Sequence, residues 1–158
     1  MARQVIRRTG SGEFRLRLSS EERELLRPLP SQLRDLIGSS DRSLRRLSPP
    51  AHPDDPLMEA EYRELVGEDL EAQRRRALDI MEATIDSERL DQDQVSAWLA
   101  ALNDLRLVLG TRLDVTEELY EEGIPEDDPR APALAVYLYL GWLEEQIVAS
   151  LASALPDA

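Results

Sequence analysis

The feature that most constrains this chain is a mostly apolar run of eleven residues near its end, ALAVYLYLGWL, at positions 133–143. It is too short to cross a bilayer, which takes about 20 residues. Read as a helix, it is apolar nearly all round, so it offers no face to water. Other elements must wrap it. The pattern therefore predicts a last helix over about 131–155 as the central, most buried element. With 158 residues, there is chain enough for one domain, 1–158, with a real core. The first 20 residues lack the apolar stretch of a signal peptide, so the expected location is cytoplasmic, with no membrane contact.

The wrapping elements read as helical. Ser19 and Glu22 fit a capping box. The helix behind them brings Leu25, Leu26, Leu29, Leu33 and Leu36 to one side, with Pro28 and Pro30 forcing a kink or break, Ser31 recapping, and Gly38 as the stop. A short helix is expected around 41–47. A Pro-rich loop leads to Asp55 and Pro56, a good N-cap and first-turn pair. From there the helical pattern runs to about Asp86, with Gly67 as a point of division. Asp91 and Gln94 open another helix, with Val95, Trp98, Leu99, Leu102, Leu105 and Leu109 as its stripe and Gly110 as its end. A short acidic piece follows near 116–120. Asp128 and Pro129 then read as the cap of the last helix.

One segment has period two. Val5 and Ile6, the turn Thr9-Gly-Ser-Gly12, and the alternation from Glu13 to Leu18 make a hairpin over 1–18. Phe14, Leu16 and Leu18 face one way, Arg15 and Arg17 the other. Such a hairpin is not stable alone and needs a helical layer over its apolar face. The fold class is mainly α: a single-domain helical bundle of about six helical pieces over 19–158, with an N-terminal β-hairpin.

Charge is unevenly placed. All 19 basic residues are Arg; there is no Lys. Residues 1–50 hold 11 Arg and 6 acids, whereas 51–158 hold 8 Arg and 26 acids, within a net charge of −13. Phosphate is repelled at long range, so direct nucleic-acid binding by this chain alone is not expected. With no Cys and one His, thiol catalysis, zinc–thiolate sites and disulfides are excluded. His52 sits in the Pro-rich loop with no nucleophile elbow beside it. The carboxylates at 121–122 and 126–128 lack calcium-loop spacing. Arg74, Arg75 and Arg76 read as an exposed spray pairing with Glu71 and Asp79. No catalytic residue, metal ligand or cofactor is assigned, and the chain is not expected to be an enzyme.

The stretch WLAALNDLRLVLGTRL, 98–113, is different. Asn103, Asp104, Arg106 and Arg112 are polar residues embedded in an apolar helix. Either each finds a partner on a neighbouring element and fixes packing, or together they form a polar docking patch. Asn103 and Arg106 are three apart and can share a face.

This stretch, the acidic helix after it, the block DPRAPALAVYLYLGWLEEQIV and the earlier LSSEERELL resemble the actinobacterial domain-of-unknown-function family numbered 2017 from Phe14 to about Leu151. One characterised type of member, the AosR-like one, is an oxidative-stress transcriptional regulator. The resemblance implies oxidant sensing through an N-terminal Cys pair and association with an extracytoplasmic-function sigma factor. Family members also lie commonly beside the Clp protease adaptor. This chain has no Cys, so the thiol switch does not carry over.

The expected function is that of a cytoplasmic, non-enzymatic regulator working by protein–protein contact. A sigma factor or other transcription component is the first partner class and a Clp-type adaptor role the alternative. A carboxylate-based enzyme is a remote third. In this reading the acidic part meets a basic partner, and Arg7, Arg8, Arg15 and Arg17 on the hairpin stay free for phosphate or an acidic partner. Tyr137, Tyr139 and Trp142 on the last helix leave a face for a second copy.

Overall fold

The computed structural model describes residues 3–39, 41–47 and 54–153, and of Glu68 the backbone alone. His52 lies outside the described residues. Six helices and three short strands follow one another in this order: β1 (Ile6–Gly10), β2 (Glu13–Leu16), α1 (Ser20–Leu26), α2 (Leu29–Leu36), a 3-10 turn (Arg42–Leu44), α3 (Pro56–Ala83), β3 (Arg89–Asp91), α4 (Gln92–Arg112), α5 (Glu117–Glu122) and α6 (Ala131–Ala152). The mainly helical class with an N-terminal hairpin stands. The hairpin gains a third strand, however, because β3 pairs antiparallel with β2 to give the sheet order β1-β2-β3.

Local signals act where the residues put them. The Ser19 hydroxyl accepts from the Glu22 backbone and the Glu22 carboxylate accepts from the Ser19 backbone, closing the capping box. Pro28 and Pro30 have no N–H to donate, and α1 and α2 separate there. Ser31 does not recap: its hydroxyl bonds back to the Pro28 carbonyl, and Pro28 itself occupies the cap position of α2. Leu25, expected inside, is exposed, while Leu26 beside it is fully buried. Asp55 caps α3 through the Met58 backbone, and Asp91 with Gln94 closes a second capping box on α4.

Two expected boundaries move, and one cap. α3 runs unbroken through Gly67. α4 passes Gly110 and ends at Arg112, because Gly110 is a packing position and not a stop. A Cβ at Gly110 would lie 3.0 Å from the Tyr137 ring. α6 begins at Ala131 as expected, but Asp128 does not cap it: its carboxylate turns back onto the Arg130 backbone and side chain, and Arg130 holds the cap position.

The main correction concerns the centre. α6 buries one stripe, Leu134, Tyr137, Leu140, Leu143, Ile147 and Ser150, and leaves Ala135, Val148 and Ala149 exposed. Ala135 and Ala149 on the open side put little apolar area in water. The central element is α4, which touches α2, α3, α6, the 3-10 turn, β2 and β3. Small Ala97 and Ala101 let neighbours approach it from several sides, with Trp98 and Leu102 fully buried between them. The Trp98 indole N–H donates to the Thr84 hydroxyl at 2.7 Å, and Thr84 in turn donates to the Ile80 carbonyl at 2.7 Å. An aromatic with one polar atom is thereby buried with that atom satisfied.

The sheet closes over this core. Val5, Ile6, Phe14, Leu16 and Leu90 are all buried at 2% exposure or less. β1 packs on α6, where the Val5 N–H donates to the Gln146 side chain and Arg8 donates to the Leu151 carbonyl at 2.8 Å. Among the described residues no helix is long and apolar enough to cross a membrane.

Candidate functional site

The polar residues inside α4 divide by what they touch. Asp104 is buried, and its carboxylate lies 3.5 Å from the Arg74 guanidinium of α3. Burial pushes the Asp104 carboxyl above its ordinary range, and the nearby Arg74 charge pulls it part of the way back. Arg74 also donates to the Leu47 carbonyl, and Arg75 to the Ile37 carbonyl at 2.8 Å. So Arg74 and Arg75 are not an exposed spray. They turn inward and hold the segment after α2, and Arg76 alone of the three is exposed. Asp79 pairs with Arg34 of α2 at 2.8 Å.

Arg106 spans three elements. It pairs with Glu144 of α6 at 3.3 Å, donates to the Tyr120 hydroxyl of α5 at 3.3 Å, and sits 5.6 Å from the Tyr137 ring centre. The Tyr120 and Tyr137 hydroxyls are 2.7 Å apart. Burial raises the Tyr137 hydroxyl. Burial acts the same way on Tyr120, but hydrogen bonds from Tyr137 and Arg106 outweigh it and bring Tyr120 below its ordinary value. Either tyrosine hydroxyl can donate to the other, and the Arg106 guanidinium donates to the Tyr120 oxygen. Gly141 makes room, since a Cβ there would stand 3.3 Å from the Arg106 guanidinium.

Arg112 reaches the 3-10 turn, 3.4 Å from both the Ser43 hydroxyl and the Asp41 carboxylate. Asn103 is exposed and is not joined to Arg106 by any hydrogen bond among the described residues. The structure therefore gives Asp104, Arg106 and Arg112 separate partners on different elements and does not bring the four together. A cleft of about 340 Å³ opens between the 3-10 turn and α3, lined by Asp41, Arg45, Glu71 and Arg74 among others; Asn103, Asp104 and Arg106 do not line it.

The hairpin arginines also divide. Arg8 is not free: its guanidinium lies 5.1 Å from the centre of the Phe14 ring and bonds the Leu151 carbonyl. Arg7 and Arg15 are direct cross-strand partners, and Arg15 is the direct partner of Arg89 on β3. All three, and Arg17 one residue beyond β2, are exposed. Arg89 was missed in the sequence because a strand of three residues carries too little alternation to read. On α6, Tyr137 is buried, and Tyr139 donates to the Glu22 carboxylate at 2.6 Å with Trp142 beside it at 5.8 Å. The aromatic residues considered for a second copy are thus engaged within the chain.

These features define a small helical scaffold whose internal polar groups tie its elements together and whose sheet presents a basic face. The chain belongs to the family described as domain of unknown function (DUF2017), whose model matches residues 2–151. It is 39% identical over 59 residues to the oxidative stress regulator AosR of Mycobacterium tuberculosis (strain ATCC 25618 / H37Rv), a match covering 37% of this chain and 27% of that protein. A Mycobacterium leprae (strain TN) relative carrying the same AosR name is 32% identical over 85 residues, 52% of this chain and 39% of that protein. The matched stretches thus span well under half the length of these relatives. No solved structure matches this chain.

Proposed function

We propose that this chain is a cytoplasmic, non-enzymatic regulatory protein that acts by contact with another protein, with a sigma factor or another transcription component as the partner class. The names of its AosR relatives support a regulatory role. The observation that carries the reading is where the buried charge goes. Asp104, Arg106 and Arg112 are each engaged by another element of the same chain, while the open charges lie on the outer surface. Regulation here does not run through a thiol, because none of the 158 residues is Cys.

The test is affinity capture of the tagged chain from its native host at low salt, followed by identification of bound proteins. Recovery of a sigma factor or polymerase subunit is expected. Recovery of Clp subunits in their place transfers the chain to regulated proteolysis. Recovery of neither overturns the reading.

A further inference from the structure

We propose that the outer face of the three-stranded sheet, built on Arg7, Arg15 and Arg89 with Arg17 beside them, is a docking site for an acidic segment of a protein partner. The inference rests on the protein-contact reading above and supplies its surface.

The row is continuous across the sheet. Arg7 opposes Arg15, and Arg15 opposes Arg89, so all three side chains leave the same face on neighbouring strands. Directly opposed residues stand about 5 Å apart, and like charges at that distance work against folding. Elsewhere among the described residues, eight of the 19 arginines sit in ion pairs, among them Arg27 with Glu24 and Asp86, Arg34 with Asp79 and Glu82, Arg106 with Glu144, and Arg130 with Asp128. Arg7, Arg15, Arg17 and Arg89 have no ion pair among the described residues. Acids are abundant, 32 against 19 Arg, yet none is in ion-pair contact with this row among the described residues. The nearest acidic row is Glu13 opposite Asp91, two residues along. Asp91 is committed to the α4 cap, so that row bounds the patch and does not pair with it.

The chemistry selects the occupant. Three adjacent strands span about 10 Å, the reach of a few side chains. Guanidinium forks bind carboxylates in parallel pairs of hydrogen bonds. A nucleic acid would continue past this small patch onto a molecule of net charge −13, where its phosphates are repelled. A short run of Glu and Asp on a partner ends where the patch ends.

The test uses the full chain, a variant with Arg7→Gln, Arg15→Gln and Arg89→Gln, and a control with Arg42→Gln, Arg45→Gln and Arg46→Gln, which removes three exposed arginines elsewhere. Fluorescence anisotropy follows a labelled oligoglutamate peptide and a labelled oligothymidine at low ionic strength. The expected result is oligoglutamate binding by the wild type and the control, weakened about ten-fold in the sheet variant. Melting is read in parallel, and the sheet variant should melt higher than the wild type because the like-charge row is gone. Unchanged oligoglutamate binding in the sheet variant overturns the proposal. So does tighter binding of oligothymidine than of oligoglutamate, which assigns the face to nucleic acid. A wild-type dimer in sedimentation that the sheet variant abolishes assigns it to a second copy. If oligoglutamate binding holds while the capture experiment yields no transcription component, the surface stands and the proposed partner class falls.

Discussion

Asp104 shows how one side chain can be read in sequence and still surprise in structure. A carboxylate among Leu102, Leu105 and Val108 was visible as an anomaly; its partner was not, because Arg74 lies on a different helix and belongs to a run of three that looks solvent-exposed. The same holds for Arg106, whose ion-pair partner is 38 residues away. Sequence spacing reports neighbours within a helix and is silent about what a second helix brings. Asp104 is raised in the folded state, chiefly by burial. A raised carboxyl binds its proton more tightly folded than unfolded, so its contribution is favourable in acid and is lost as pH rises through the folded value. Asp104→Asn should therefore match the wild type near pH 4 and melt at least as high at pH 7, the gap opening as pH rises. A variant melting several degrees lower at pH 7 would show that the Arg74 pairing outweighs the burial cost.

At the scale of elements, two glycines make opposite predictions. Gly110 of α4 packs on the Tyr137 ring of α6, and that ring is itself held by Tyr120 and Arg106. Gly110→Ala gains helix propensity of about 1 kcal/mol but overpacks a buried contact, which costs about 1–3 kcal/mol, so it should lower stability on balance. Gly67 in α3 has open space where a Cβ would go. Gly67→Ala should raise stability by up to about 1 kcal/mol. Urea unfolding of the pair checks both signs. Most helices were legible from caps and prolines, which act within a few residues. The rank of the helices was not. α6 looks more apolar than α4, but burial is decided by which neighbours can approach. Gly110 shows the same limit: in sequence it reads as a terminator, and only the crossing helix reveals it as a contact.

Seen whole, the molecule uses its arginines as struts as much as charges. Arg8, Arg23, Arg74, Arg75 and Arg130 all donate to backbone carbonyls on other segments. The forked guanidinium, which can serve several acceptors at once, suits this better than an ammonium would. Adjacent residues on β1 separate the two uses. Arg8→Ala removes a carbonyl bond and a cation–ring contact and should cost about 1–2 kcal/mol, with unfolding still a single transition by fluorescence and circular dichroism. Arg7→Ala, on the opposite face, should be neutral or stabilising. Equal losses in both would mean that the two arginines do the same work.

The bonds from Val5 to Gln146 and from Arg8 to Leu151 join residues 141 and 143 positions apart. On the ribosome, the hairpin is made well before its covering helix. Phe14 and Leu16 must wait for β3 to complete the sheet and for α6 to close over it, so the emerging chain carries an unfinished apolar strand pair until α6 has been made. The nascent chain is thus most open to chaperones, and to aggregation, until residues near 151 have cleared the exit tunnel.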